Sequence, residues 1–275
     1  MTLLWLRFAV LLYGVAALSV LPAALYERPR WRYVAVPTAV VGAFFHFVAL
    51  AETLDVAHHR LPVETHEVFS SLALIFVLAF LMVYVRYRSV ALGIFVLPVA
   101  FLLATLAAFR PAVESLSVPL RIGGWWIFLH VALLLAAYAA LVVSLLASLL
   151  YLIQERRLKR KSGWMGKPLS SLDTPLETID QIALRALLFG LPCMTASLLI
   201  GSVIAQLHYG AAYFRDPKIL LTFAMWLAYV AMIFVRRISG LRGRRAVYLA
   251  SVVFFCVLFV WAANQFSIVH RFPTP

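Results

Sequence analysis

WIFLHVALLLAAYAALVVSLLASLLYLI, residues Trp126–Ile153, contains no Asp, Glu, Lys or Arg and a single imidazole, His130. Crossing the roughly 30 Å hydrocarbon core of a bilayer takes about 20 apolar residues as an α-helix, and this run exceeds that. Working outward, seven more apolar runs meet or approach the same length: Phe8–Tyr26, Tyr33–Ala51, Val68–Val85, Val90–Ala108, Ala183–Leu207, Ile219–Val235 and Ala246–Asn264. The chain has 275 residues, 64% hydrophobic and only 13% charged, so no soluble core could bury its apolar surface. The expected fold is all-α: a polytopic integral membrane protein with eight transmembrane helices, forming one domain over residues 1–275.

Charge sets the orientation. The net charge of +13 would suit nucleic acid, but the basic residues stand in short loops between apolar runs, the positive-inside pattern of a membrane protein. Lipid, and no nucleic acid, is therefore the expected partner of the surface. Arg28, Arg30 and Arg32 follow the first span while only Arg7 precedes it, so that span reads as a retained helix with its N-terminus outside. With eight spans both termini then lie outside. Arg86, Arg88, the Arg156–Lys167 loop and the Arg236–Arg245 loop fall inside, whereas Arg7, Arg60, Arg110, Arg121, Arg215, Lys218 and Arg271 fall outside. The bacterial inner membrane is the expected location.

Thr174-Pro175-Leu176-Glu177 reads as a capping box with proline at the first helical position, starting a helix that enters the sixth span. Trp125 and Trp126 suit headgroup depth. Ser197, Gly201 and Ala205 recur every fourth position, a pattern for close helix packing. Cys193 and Cys256 lie in separate apolar runs without a CxxC, which fits small core residues rather than a thiol relay or covalent haem attachment.

All seven histidines fall near the expected outer face. His46 sits in the outer part of the second span and His130 about one turn into the fifth. His58, His59 and His66 occupy the first outer loop, His208 ends the sixth span, and His270 follows the eighth. Intramembrane imidazoles are costly, which makes His46 and His130 the informative ones. Zinc sites draw on short-spaced pairs and often on carboxylates or cysteines, a pattern missing here. Haem needs two axial imidazoles from separate elements and an apolar, aromatic slot, which Phe44, Phe45, Phe47, Tyr209, Tyr213, Phe214, Trp261 and Phe266 are placed to line. The same aromatics also read as packing. Each span carries at most one histidine and none lies in the inner half, so electron transfer across the membrane between two stacked haems is disfavoured. Spans without buried Asp or Glu also speak against a proton or ion pathway.

Leu129-His130-Val131-Ala132-Leu133, Ala137-Tyr138-Ala139-Ala140-Leu141, Ser171-Leu172-Asp173, Ile179-Asp180 and Arg185-Ala186 resemble the cytochrome c assembly protein family, of the CcsA and HemX type. Tyr209-Gly210 through Asp216-Pro217-Lys218, Trp226-Leu227-Ala228-Tyr229, Gly240 to Ala246 and His270 extend the resemblance, strongest over residues 126–272. His46, within Phe45-His46-Phe47-Val48-Ala49-Leu50, is similar to the HemX-like branch. The resemblance implies an eight-helix membrane protein that presents non-covalent haem b at its outer face, with His130 and His270 as axial ligands. Tyr209, Gly210, Tyr213 and Asp216 would shape the outer platform, and His46 would be either a third ligand or a hydrogen-bonding partner. The implied role is haem handling in cytochrome c assembly, a binding or transfer factor rather than an enzyme, with apocytochrome c and a membrane assembly partner. A HemX-like regulator of tetrapyrrole synthesis, acting on glutamyl-tRNA reductase through its basic inner loop, is the alternative; a haem-free structural relative is a third.

Two departures mark this chain. The family's tryptophan-rich segment reads Tyr209-Gly210-Ala211-Ala212-Tyr213-Phe214-Arg215-Asp216-Pro217-Lys218 here, with every tryptophan replaced. Arg215 would meet either a haem propionate or a lipid headgroup. The histidine expected near the inner end of the next span is replaced by Ile233-Phe234-Val235-Arg236-Arg237. These departures speak against a full haem-conducting path and against synthetase activity.

Overall fold

The computed structural model describes residues 2–25, 29–56, 65–109, 124–159, 174–238, 240 and 244–263. Among these residues the chain is helical and has no strand: α1 (Thr2–Leu25), α2 (Pro29–Val56), α3 (Thr65–Tyr87), α4 (Gly93–Phe109), α5 (Gly124–Lys159), α6 (Leu176–Tyr209), a 3-10 turn at Gly210–Arg215, α7 (Pro217–Ile238) and α8 (Arg244–Ala262). Six of them, α1, α2, α3, α5, α6 and α7, are long and apolar enough to cross a membrane. The chain is thus a multi-pass membrane protein. The fourth expected span is shorter than read: Val90–Leu92 form a turn, with Gly93 N–H donating to Val90 O at 2.9 Å, and the helix proper begins at Gly93. At 17 residues α4 covers roughly 26 Å.

Two compact units emerge. The first holds residues 1–115 and 149–182, the second 116–148 and 183–275. In the first, α1 packs against α2 and α4, and α3 against α4 and α2. Small side chains let the backbones approach: Ala9, Ala16, Ala17, Ala35, Ala39 and Ala43 are buried. Glycines serve the same end. A Cβ on Gly93 would lie 2.6 Å from the Phe80 ring, and one on Gly42 would lie 2.8 Å from the Tyr13 ring. At the start of α6 the Thr174 hydroxyl is engaged by Ser89 Oγ rather than by the helix's own N–H groups, so the expected capping box does not close.

In the second unit the core is formed by Ala137, Leu141, Leu187, Met194, Met225, Tyr229, Met232 and their neighbours, with Cys193 and Cys256 packed against it as free thiols. The Trp226-Leu227-Ala228-Tyr229 motif ties α7 to α6. Trp226 Nε1 donates to Thr195 Oγ1 at 2.9 Å, and Tyr229 Oη donates to Leu187 O at 3.0 Å. Tyr229 reaches that carbonyl by passing over Gly190, where no side chain stands in its path. Large apolar side chains face outward along the helices, among them Leu18, Met82, Leu199, Phe234 and Phe255. Such a surface belongs in lipid.

Candidate functional site

His130 projects from the first turns of α5 onto α6. Its Nδ1 lies 2.8 Å from the carbonyl oxygen of Ser197. A carbonyl can only accept, so Nδ1 carries the proton and, in the neutral ring, Nε2 carries the lone pair. Ser197 Oγ donates to the His130 carbonyl at 3.0 Å and lies 3.1 Å from Nδ1, which ties the two helices from both directions. The ring rests on Gly201: a Cβ there would stand 2.5 Å from Cε1 and 2.8 Å from Nδ1. Ser197 and Ala205 are buried on the same stripe. The every-fourth-residue pattern is therefore helix packing, as read, and what it packs against includes His130. Nε2 makes no hydrogen bond among the described residues. A neutral imidazole with Nδ1 anchored and Nε2 unengaged has the form of a metal-ligating histidine, whose other nitrogen is held by an outer partner.

Further along, the chain leaves α6 through Gly210, whose φ of +60° suits glycine, and enters the 3-10 turn. Tyr213 is buried and Phe214 is 52% exposed, their ring centroids 4.1 Å apart. Asp216 has a specific structural task. Its Oδ1 accepts from Lys218 N–H at 2.9 Å and from Ile219 N–H at 3.4 Å, with Pro217 as the first helical residue, so it is the N-cap of α7. The Asp-Pro pair is itself a cap signal in the sequence, beside the platform role that the resemblance implies for Asp216. Replacing Asp216 by alanine should cost about 1 kcal/mol, read as a lowered unfolding midpoint in detergent.

His46 belongs to the first unit and is fully buried there. Tyr13 Oη lies 3.2 Å from its Nδ1 and Ser70 Oγ lies 2.8 Å from its Nε2, so α1, α2 and α3 meet at one ring. Both nitrogens are engaged, and ligating iron would mean breaking one of these bonds. Sequence reading missed Tyr13 and Ser70, as neither carries a motif. Among the expected slot-lining aromatics, Phe44 and Phe47 are each 63% exposed on the outside of α2, and Phe45 stacks on Trp5 at 5.5 Å. A helix apolar on all sides gives no clue to which face turns inward. His270, Phe266, His58, His59 and the side chains of Tyr209, His208 and Trp261 lie outside what the structure describes. Among the described residues no group of three or more His, Cys, Asp or Glu could hold a metal ion.

The sequence matches the profile of the family described as "Cytochrome C assembly protein" over residues 8–267. The chain belongs to the cytochrome c assembly protein family. A cytochrome c biogenesis protein CcsA from Prochlorococcus marinus (strain MIT 9215) is 30% identical over 194 residues, 65% of this chain and 62% of that protein's own length. Another from Prochlorococcus marinus subsp. pastoris (strain CCMP1986 / NIES-2087 / MED4) is 26% identical over 262 residues, 88% of this chain and 83% of the relative. A CcsA from Guillardia theta is 25% identical over 206 residues, 69% of this chain and 68% of the relative. These relatives carry the CcsA name. The narrower HemX-like placement and the regulator reading gain no support from them. Within this cytochrome c assembly protein, His130 and its Ser197–Gly201 seat are the best-formed candidate site.

Proposed function

We propose that this cytochrome c assembly protein binds non-covalent haem b at the outer face of the membrane, with His130 and His270 as its axial ligands. The observation that supports this most directly is the hydrogen bond from His130 Nδ1 to the Ser197 carbonyl. It fixes the tautomer and the ring plane, keeps the Nε2 lone pair free to bind, and strengthens it as a donor. The residues present fit such a group. Gly201 gives the imidazole a seat without competing bulk, and the Tyr213–Phe214 pair of the turn that follows α6 offers apolar and aromatic surface. Bound between two imidazoles, the iron would be shielded from stray oxygen chemistry while the porphyrin edge stays available for transfer.

In this reading residues 1–275 act as one membrane domain of eight crossings in the bacterial inner membrane, with both termini outside. The basic loops on the opposite side support that orientation. Haem, apocytochrome c and a membrane assembly partner are the proposed partners, and the relatives' printed function in cytochrome c biogenesis is the reason for naming them. No observation favours a HemX-like action on glutamyl-tRNA reductase.

The test is an absorption spectrum of the gently extracted protein, oxidised and then reduced, after expression with ample haem. A Soret band that shifts on reduction and copurifies with the protein is the expected result. Apoprotein that stays colourless when haem is supplied would leave the haem-free structural relative as the better description.

A further inference from the structure

Serine and threonine hydroxyls inside a membrane helix commonly return to the carbonyl one turn earlier, because the hydrocarbon offers them nothing else. Five threonines do this here: Thr38 to Val34 O at 2.7 Å, Thr53 to Ala49 O at 2.7 Å, Thr105 to Phe101 O at 2.7 Å, Thr195 to Leu191 O at 2.9 Å and Thr222 to Lys218 O at 2.6 Å. Ser144 and Ser148 on α5 do not. Ser144 has no exposed surface and Ser148 only 4%, and the Oγ of each is sealed from solvent with no hydrogen-bond partner among the described residues.

A sealed hydroxyl with no partner forfeits its hydration, so a native structure that keeps two of them, one turn apart, has something for them to bind. Residues four apart on a helix place their Cβ atoms about 5–6 Å from each other, and a single oxygen can stand within hydrogen-bond reach of both. We propose that Ser144 and Ser148 hold one internal water molecule, in the half of α5 remote from His130. Water matches the chemistry better than an ion. The surrounding run from Trp126 to Ile153 has no charged side chain, whereas two hydroxyls and the spare lone pair of the Ala140 or Ser144 carbonyl provide the two to four polar partners a buried water requires. The site lies apart from His130 and does not depend on haem.

Radiolytic hydroxyl-radical footprinting of the full chain in nanodiscs, run in ¹⁸O-labelled water, reads such a site. The expected result is oxidation within Leu141–Tyr151 above the level of the other lipid-buried segments, with slow exchange of the isotope, and its loss in the Ser144→Ala, Ser148→Ala double variant. Each single alanine variant should also lower the unfolding midpoint, because the water then loses a partner. Absence of labelling in the wild type, labelling that persists in the double variant, or a midpoint that rises in both single variants would overturn the proposal; the last outcome means the hydroxyls are dry. Should the double variant not fold, the wild-type footprint decides by itself.

Discussion

His130→Ala should leave the extracted protein without a Soret band, and one added methyl group at Gly201 should have much of the same effect. The first removes the imidazole whose Nδ1 is anchored on the Ser197 carbonyl while its Nε2 is unengaged among the described residues. The second leaves the imidazole in place but displaces it, since the new Cβ would overlap Cε1 and Nδ1. A displaced ring loses its bond to the Ser197 carbonyl, worth about 1 kcal/mol in stability, and with it the aim of Nε2. Loss of an outer partner of a metal-binding histidine typically costs about 10–100-fold in affinity, and Gly201→Ala should fall in that range. Ser197→Ala should be milder, because the carbonyl that holds Nδ1 is backbone and survives the substitution. Haem titration of the three purified variants gives the ranking. Free imidazole added to the His130→Ala protein should restore part of the band by occupying the vacated space, which a merely structural histidine would not permit. A His130→Ala protein with the full wild-type spectrum would remove His130 from the site.

The helices were legible because apolar length alone identifies a membrane span. Trp126–Ile153 lies wholly within α5, which extends beyond it to Lys159, where the Glu155–Lys159 pair at 2.6 Å closes the helix on its polar side. Faces and partners were much less legible. The Ser197–Gly201–Ala205 stripe announces that something approaches closely, but periodicity does not say which helix or side chain does so. Membrane helices that are apolar all round lose the amphipathic signal that would have placed Phe44 and Phe47 on the outside of α2. Asp216 illustrates a different difficulty. The resemblance gives it a place in a haem platform, while the local chemistry of Asp-Pro, an N-cap ahead of a first-turn proline, is by itself a reason for an acid there.

His46→Ala should destabilise the first unit by about 3–5 kcal/mol, without loss of haem from the molecules that remain folded. The imidazole is fully buried, so its removal opens a cavity among α1, α2 and α3, and it also strands the Tyr13 hydroxyl and the Ser70 hydroxyl. Tyr13→Phe or Ser70→Ala each removes one partner and leaves the ring in place, so each should cost only about 1 kcal/mol. Unfolding midpoints in detergent measure the first effect, and haem per folded molecule measures the second. The pairing of the two readouts is what separates the two roles open to His46. A third iron ligand would show its loss chiefly in the spectrum, with a modest change in stability, because iron binding would already have broken one of its hydrogen bonds. A helix lock shows the reverse. The geometry favours the lock, since a ring gripped at both nitrogens has no lone pair to offer while it performs that task.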